Sequence, residues 1–346
     1  MPLSPHDRTE PPPMLSYVDD ALPGITRRKL RGHWAYFDPH GERVRDRVEI
    51  DRLNATAMPP AYVDCWFCPS PDGHIQAVGW DDKGRKQYRY HADFRATQEA
   101  AKYDACADFG RALPLLRARV EEDLTHRALD KDAVVAAIVR LLDLGRVRVG
   151  NETYAKSNNS FGATTLRADH AKVRGSKLKL EYVGKSGKLQ RLTIEDQRLS
   201  RIARRCQDLP GQHLFQYQCP DGSAHPVGSA DINAYIKDAT GGSFTAKSFR
   251  TWGASVIAYR TLVEAGDTAI TLKQLLQPVA DALGNTPAIA RKSYVHPALI
   301  ELARSGVPVG RVRLPRATRY ATPTERGLIA FLDTLGAEHC SKAACA

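Results

Sequence analysis

The chain has 346 residues, of which 42% are apolar and 26% charged, and lysine plus arginine exceed aspartate plus glutamate by 11. This composition excludes a largely disordered or collagen-like protein, and the length predicts about two domains. The sequence shows neither an apolar run of ~20 residues nor the apolar core of a signal peptide, which predicts a cytoplasmic protein. The positive charge favours a polyanionic partner, although a basic enzyme without such a partner is an equal alternative.

The first quarter of the chain is predicted to consist of strands and turns. Six prolines within residues 1–24 favour an arm without packed structure. Alternating apolar residues bounded by turn sequences then predict a small antiparallel sheet of three or four strands. The strands are expected at His33–Phe37, 61–68, 74–80 and 86–90.

Two cysteines in this region, Cys65 and Cys68, form the one C-x-x-C pair of the sequence. On a strand these positions fall on opposite faces, which disfavours joint binding of a metal ion, and no second pair follows at the spacing of a zinc ribbon. We therefore predict buried structural cysteines rather than a metal or redox site.

Helical periodicity begins near residue 94, so a β-rich N-terminal lobe is predicted over 25–92 and a mainly helical lobe over 93–346. Asp130 or Asp132 is expected to cap a helix that ends at Gly145. A hairpin of 177–183 and 188–194 follows, and the glycines of its turn are expected to supply positive φ angles. Helices are predicted over 195–207, 229–238, 245–264, 271–283, 287–295 and 297–305. No helix of the kind that is exchanged between neighbouring chains is evident after 305. The predicted class is α+β.

Common catalytic templates are missing from the sequence. It contains no G-x-x-x-x-G-K-[ST], no G-x-G-x-x-G after a strand, no H-E-x-x-H and no G-x-S-x-G. Chemistry that depends on ATP or NAD is therefore unsupported, and no cofactor is expected.

Four segments in a fixed order instead carry a family resemblance. They are 147–154 (VRVGNETY), 182–187 (YVGKSG), 245–253 (TAKSFRTWG) and 283–296 (LGNTPAIARKSYVH). In this order they resemble the catalytic domain of type IB DNA topoisomerases of the small bacterial and poxvirus kind. Residues 84–91 (GRKQYRYH) also resemble the segment by which the N-terminal domain of that family touches DNA.

The resemblance implies a role for individual residues. Tyr294 corresponds to the nucleophile, and Asn285 to a position that is histidine in many relatives. The implied catalytic set is Tyr294, Arg148, Arg250, Lys185 as general acid, Asn285, and Lys247 as a further cation near the scissile phosphate. The implied DNA contacts are Lys86, Tyr88, Arg89, Tyr90, Tyr154 and Thr165.

These residue types suit the implied chemistry. A tyrosine oxygen that attacks phosphorus keeps the bond energy in a covalent ester, so that resealing needs no ATP. Planar guanidinium groups match the non-bridging phosphate oxygens that gain charge, and a lysine can protonate the leaving 5′-oxygen. The resemblance thus implies two lobes that form a C-shaped clamp on double-stranded DNA, acting as a monomer without metal, membrane or obligate protein partner.

Two other interpretations remain open. A tyrosine recombinase uses the same chemistry, but its usual His-x-x-Arg-His box differs from Lys247-x-x-Arg250-Thr251, and its first half is helical rather than strand-rich. A non-catalytic DNA-binding protein that retains the fold is the second alternative, and the intact catalytic positions disfavour it.

Overall fold

The structure of the protein is a computed structural model. It describes residues 15–344, except for the side chains of 336–344, so the first fourteen residues of the predicted proline-rich arm lie outside the described part. The chain divides into two compact units, Met1–Lys102 and Tyr103–Ala346. No helix within the described residues is long and apolar enough to cross a membrane.

The first unit contains a five-stranded antiparallel sheet with the strand order β2-β1-β3-β4-β5. Its elements are β1 (Ile25–Leu30), β2 (His33–Phe37), α1 (Arg47–Ala55), β3 (Val63–Phe67), β4 (Ile75–Trp80) and β5 (Lys86–Tyr90). The antiparallel sheet is confirmed, but the expectation of three or four strands is wrong, because β1 was not predicted. The helix α1 was not predicted either.

The two missed elements share a cause. In β1 only Ile25 is buried, and in α1 only Leu53 is buried. Neither segment therefore carries the apolar periodicity from which a strand or helix is recognised. The strand β1 is held instead by backbone pairing with β2 and β3, and α1 begins where the Asp46 carboxylate accepts a hydrogen bond from the Val48 amide.

Both cysteines of the C-x-x-C pair lie in the interior of this unit. Cys65 is 7% exposed and Cys68 is 1% exposed. Burial raises the pKa of both thiols, which disfavours the reactive thiolate form. The predicted burial of Cys65 and Cys68 is confirmed.

From α2 onwards the described chain is mainly helical, with two small sheets. The helices are α2 (Ala92–Asp123), α3 (Lys131–Gly145), α4 (Glu152–Asn158), α5 (Gln197–Gln207), α6 (Ser229–Thr240), α7 (Ala246–Ala265), α8 (Leu272–Leu283), α9 (Pro287–Ser293), α10 (Pro297–Arg304) and α11 (Pro323–Ala344). The strands are β6 (Ala171–Arg174), β7 (Lys177–Val183), β8 (Leu189–Glu195), β9 (Gln216–Gln218) and β10 (Ala224–Pro226). The predicted α+β class is confirmed.

The helix α3 is the central element of the second unit. Nine of its fifteen residues are buried, and it packs against α5, α6 and α7. As predicted from the sequence, Asp130 caps it by accepting a hydrogen bond of 2.9 Å from the Ala133 amide. Its C-cap is Arg146, which adopts the left-handed conformation at φ 51°.

The hairpin of β7 and β8 is confirmed, and β6 adds a third strand that was not predicted. The expectation that both turn glycines supply positive φ angles is wrong. Gly184 has a φ of −94°, whereas Ser186 and Gly187 have φ angles of 64° and 73°. The turn residues Lys185–Gly187 form a short 3₁₀ turn, in which Ser186 rather than Gly184 adopts the left-handed conformation beside Gly187.

The helix α11 follows residue 305 and was not among the predicted helices. It packs on α7 of the same chain. Its start is fixed by Thr322 and Glu325, because the Thr322 amide donates to the Glu325 carboxylate and the Glu325 amide donates to the Thr322 hydroxyl. This Thr-Pro-x-Glu pattern was the sequence signal for the helix.

Glu325 also takes part in a buried charge network. Arg117 on α2 donates to both Glu325 and Asp143, each at 2.8 Å, and the Trp252 indole donates to Glu325 at 3.3 Å. The carboxylates of Asp143 and Glu325 are 9% and 8% exposed. Both carboxylates therefore share the Arg117 guanidinium as their ion-pair partner.

Replacing Arg117 by methionine should lower the free energy of unfolding by about 3 kcal/mol or more, because the two buried carboxylates lose their partner. Thermal and urea unfolding measure the change. Arg111→Met is the matched control on the same helix, since the Arg111 ion pairs are half exposed and should contribute little. Equal midpoints for the two variants would contradict a structural role for the network.

Candidate active site

Tyr294 lies at the end of α9, where packing of its neighbours on α7 fixes the backbone. The Tyr294 amide donates to the Ala290 carbonyl at 3.1 Å. The next residue, Val295, is fully buried, and the His296 amide donates to the Ser255 hydroxyl of α7 at 3.1 Å. The backbone on both sides of the phenol is therefore anchored, and the ring itself is packed against the core.

Arg250 on α7 is a buried cation beside this ring. It is 4% exposed, and its Cζ lies 4.8 Å from the centroid of the Tyr294 ring. Its guanidinium donates to two backbone carbonyls, that of Arg146 after α3 and, at 3.2 Å, that of Leu283 at the end of α8. These contacts hold the guanidinium in one place, and no carboxylate of the described residues forms an ion pair with it.

Arg148 and Asn285 form a second contact in the site. Arg148 donates from Nη2 to Asn285 Oδ1 at 2.9 Å, which joins the segment after α3 to the segment between α8 and α9. Asn285 Nδ2 and Arg250 Nε are buried and lack a hydrogen-bond partner among the described residues. Such buried donors are ones that an anionic oxygen can satisfy.

Lys185 lies at the tip of the β7–β8 hairpin and is exposed. A cavity of about 60 Å³ connects it with the two arginines, Arg148 and Arg250, and with Tyr182. The charge of Lys185 also contributes to lowering the pKa of the Tyr294 phenol. The structure thus brings five predicted residues together: Tyr294, Arg148, Arg250, Asn285 and Lys185.

Two tyrosines lie near the same arginines, but their pKa values are shifted in opposite directions. Burial raises the pKa of Tyr294, but Arg250, followed by the charges of Arg148 and Lys185, outweighs burial and brings the pKa below the ordinary 10.0. At Tyr182 burial is the dominant effect and raises the pKa to about 12, despite the opposing charges of Arg250 and Arg148. Of the two, only Tyr294 has an environment that favours its phenolate.

Lys247 is exposed and lies one helical turn before Arg250 on α7. In the part of the chain that the structure describes, it makes no hydrogen bond or ion pair with the five clustered residues. Its predicted role near the scissile phosphate therefore stays a prediction.

The predicted DNA-contacting residues of the first unit lie on the edge strand β5. Tyr88 and Tyr90 are partly exposed and stack at 5.9 Å with an interplanar angle of 13°. Lys86 on the same face forms an ion pair with Asp20. Arg89 points to the other face, where it donates to the Ala57 carbonyl at 3.1 Å.

The two predicted DNA contacts of the second unit differ in exposure. Tyr154 on α4 is 36% exposed. Thr165 is 4% exposed, and its hydroxyl exchanges hydrogen bonds with the backbone of Gly162. In the structure the Thr165 hydroxyl stabilises the loop in which it lies, through these bonds to Gly162.

The groups that hold Arg250, namely the carbonyls of Arg146 and Leu283, were not predicted, and neither was the second tyrosine, Tyr182. Every residue has a backbone carbonyl, so no sequence signal marks the two that matter. The proximity of Tyr182 could have been suspected, because it stands three residues before Lys185 in the same segment.

Comparison with known proteins agrees with this geometry. The family described as the catalytic core of eukaryotic DNA topoisomerase I matches residues 91–294, and that described as the N-terminal domain of bacterial DNA topoisomerase IB matches residues 33–81. The chain is 31% identical over 302 residues to DNA topoisomerase 1B of Acanthamoeba polyphaga mimivirus, covering 83% of this chain and 90% of that protein. It is 20% identical over 237 residues to DNA topoisomerase 1B of vaccinia virus (strain Copenhagen), covering 66% of this chain and 72% of that protein.

The first family match includes all six predicted catalytic positions and ends at Tyr294. The matches to the two families, the relationship to the mimivirus enzyme and the cluster around Tyr294 all lead to one assignment. The chain belongs to the type IB DNA topoisomerases, which are isomerases that act on DNA.

Proposed function

We propose that this topoisomerase relaxes supercoiled duplex DNA by cutting one strand through Tyr294, letting the DNA rotate, and resealing the strand. The observation that carries the proposal is the buried Arg250 guanidinium against the Tyr294 ring, which lowers the pKa of that phenol while the neighbouring Tyr182 remains hard to ionise.

In the cleavage step the Tyr294 oxygen, having lost its proton to solvent, attacks the phosphorus of one phosphodiester. A bond forms between this oxygen and phosphorus, and the bond from phosphorus to the 5′-oxygen breaks. The products are a 3′-phosphotyrosyl ester and a free 5′-hydroxyl. Negative charge grows on the non-bridging oxygens, where Arg250, Arg148 and the Asn285 amide are positioned to donate hydrogen bonds.

The leaving 5′-oxygen needs a proton, and we assign its donor as Lys185. An exposed ammonium at a hairpin tip can approach the leaving oxygen once DNA fills the site. Lys247 adds a second cation on α7 near the scissile phosphate. In resealing, the 5′-hydroxyl attacks the ester, the phenolate leaves, and the proton returns to Lys185.

The energy of the broken phosphodiester stays in the tyrosyl ester, so the reaction as proposed draws on no ATP. Fixed guanidinium charges carry out the oxyanion stabilisation that other enzymes assign to a metal ion. Torsion in the DNA is released while the strand is open, by rotation about the intact strand.

We assign DNA binding to both units of one chain. The protein is proposed to act as a monomer that is cytoplasmic and associated with the nucleoid. In the first unit Tyr88, Tyr90 and Lys86 share one face of β5, a pattern of aromatic and basic side chains that suits a nucleic-acid backbone. In the second unit Tyr154 is exposed on α4. The net charge of +11 supports phosphate neutralisation as the main source of affinity.

Tyr294→Phe removes one oxygen and should abolish both relaxation of a supercoiled plasmid in EDTA and the covalent protein–DNA adduct trapped by SDS. DNA affinity should remain, because the ring and the cations are kept. Tyr182→Phe is the matched control, since it loses a phenol near the same arginines, and it should still form the adduct. An adduct in the Tyr294 variant, or strand exchange between specific sites by the wild type, would contradict the proposal.

Lys185→Ala should slow cleavage by the roughly 10²–10⁴-fold typical of losing a general acid. A substrate with sulfur in place of the bridging 5′-oxygen should restore the rate, because a thiol with a pKa of about 8.5 leaves as an anion without a proton donor. Arg250→Ala serves as the comparison and should gain no such rescue, since its charge acts on the non-bridging oxygens. Equal slowing of Lys185→Ala on both substrates would remove the acid role and make Lys247 the next candidate.

Lys86→Ala should weaken DNA binding and reduce the slope of log K against log salt by about 0.9, the contribution of one neutralised phosphate. Asp20→Asn should do the opposite and tighten binding at low salt, because it releases Lys86 from its ion pair. Lys83→Ala, in the exposed turn before β5, is the control for a general loss of charge. Unchanged binding in both Lys86→Ala and Asp20→Asn would show that this pair serves only the fold.

A further inference from the structure

Two residues assigned to the chemistry each follow a glycine, and one side chain lies against both glycines. Gly184 precedes Lys185, and Gly284 precedes Asn285. The side chain of Gln190 on β8 lies beside both glycines. Gln190 thus bridges the hairpin that carries the lysine and the segment that carries the asparagine.

The contact on the asparagine side is tight. Gly284 ends α8 in the left-handed conformation at φ +63°. A Cβ at this position would lie 2.3 Å from Gln190 Oε1 and 3.0 Å from Gln190 Nε2. The left-handed backbone conformation therefore favours a glycine here, and the Gln190 amide occupies the space beside it.

The contact on the lysine side is more informative, because backbone conformation does not explain it. Gly184 has a φ of −94° and a ψ of −167°, which any residue can adopt. A Cβ there would lie 2.9 Å from Gln190 Cγ, which is closer than side chains pack. The missing side chain at Gly184 is thus explained by the space that Gln190 occupies.

Gln190 is itself held on a rigid element. It pairs with the buried Tyr182 in the β7–β8 ladder, outside the turn that carries Lys185. Its Nε2 donates to the Lys188 carbonyl at 3.4 Å, and Lys188 Nζ donates to the Asn285 carbonyl at 3.5 Å. These bonds form a second link from the hairpin to the same segment.

We infer that Gln190 is a positioning residue, whose side chain sets the separation between Lys185 and the group of Arg148, Asn285 and Tyr294. The inference rests on the proposed role of Lys185 as the general acid. The lysine extends from an exposed tip, whereas its target oxygen is placed by residues on other elements. A fixed spacer between the two glycines keeps the donor within reach, and a displacement of 1 Å in such a geometry can cost about 10²-fold in rate.

The test compares single-turnover cleavage of oxygen and 5′-sulfur substrates by the full chain. Gln190→Ala opens the gap between the glycines and should slow cleavage of the oxygen substrate by about 10–10²-fold. The sulfur substrate, which needs no acid, should be cleaved at close to the wild-type rate. Gln190→Met keeps an unbranched side chain of similar length and should retain most of the rate on both substrates. Leu189→Ala, at the exposed neighbouring position, is the control.

A double-mutant cycle tests the spacing directly. Gly184→Ala should slow cleavage of the oxygen substrate while Gln190 is present, because the added methyl displaces the turn that carries Lys185 away from Gln190. Combined with Gln190→Ala, the same substitution should add little further loss, since the space it needs is then free. Additive effects of the two substitutions would overturn the inference.

Other outcomes separate this inference from the role of Lys185. If sulfur rescues Lys185→Ala but not Gln190→Ala, the lysine remains the acid and the positioning role of Gln190 is overturned. If sulfur rescues neither variant, the acid role falls and the positioning role falls with it. If Gln190→Ala unfolds at a lower temperature than the wild type, the cleavage rates of Gln190→Met test the inference instead. Slow cleavage of the oxygen substrate by Gln190→Met, without rescue by the sulfur substrate, would also overturn the inference.

Discussion

The site depends on one buried charge, the guanidinium of Arg250. An arginine at 4% exposure loses hydration that must be replaced, and here two backbone carbonyls and the face of the Tyr294 ring replace it. The carbonyls belong to Arg146, directly after α3, and to Leu283, at the end of α8. The negative ends of two helix dipoles therefore face the same cation, and the Arg250 side chain on α7 joins the C-terminal ends of α3 and α8.

This arrangement leaves the positive charge of Arg250 available to substrate. A carboxylate partner would offset the positive charge that acts on the phenol. Asp143 and Glu325 offset the charge of Arg117 in this way elsewhere in the same unit. Carbonyl dipoles hold the guanidinium without cancelling its net charge. The lowered pKa of Tyr294 follows from that choice of partners, because burial alone would have raised it.

The parts of the site that could be predicted from the sequence are residues that act through their side chains. Tyr294 and Arg148 stand in short segments with a recognisable order, and the structure brings them together as expected. The carbonyl of Leu283 and the spacing of Gln190 between two glycines depend on contacts between distant segments, which local patterns do not encode. The same limit explains the missed strand β1, held by backbone pairing alone. For α11 the capping pattern at Thr322 stands in the sequence, although no helix was predicted from it.

In the proposed mechanism the two kinds of cation in the site have different tasks, and their positions suit those tasks. Arginine keeps its proton even where burial lowers its pKa, so Arg250 can be fixed in the interior and preorganised toward the phosphate. A proton donor must instead reach the leaving oxygen and then exchange its proton, which favours the exposed hairpin tip where Lys185 stands. Exposure gives the lysine access to the leaving oxygen, but it leaves the position of the ammonium group less precisely fixed. As we infer its role, Gln190, anchored in the ladder rather than in the turn, restores that precision while the lysine stays accessible.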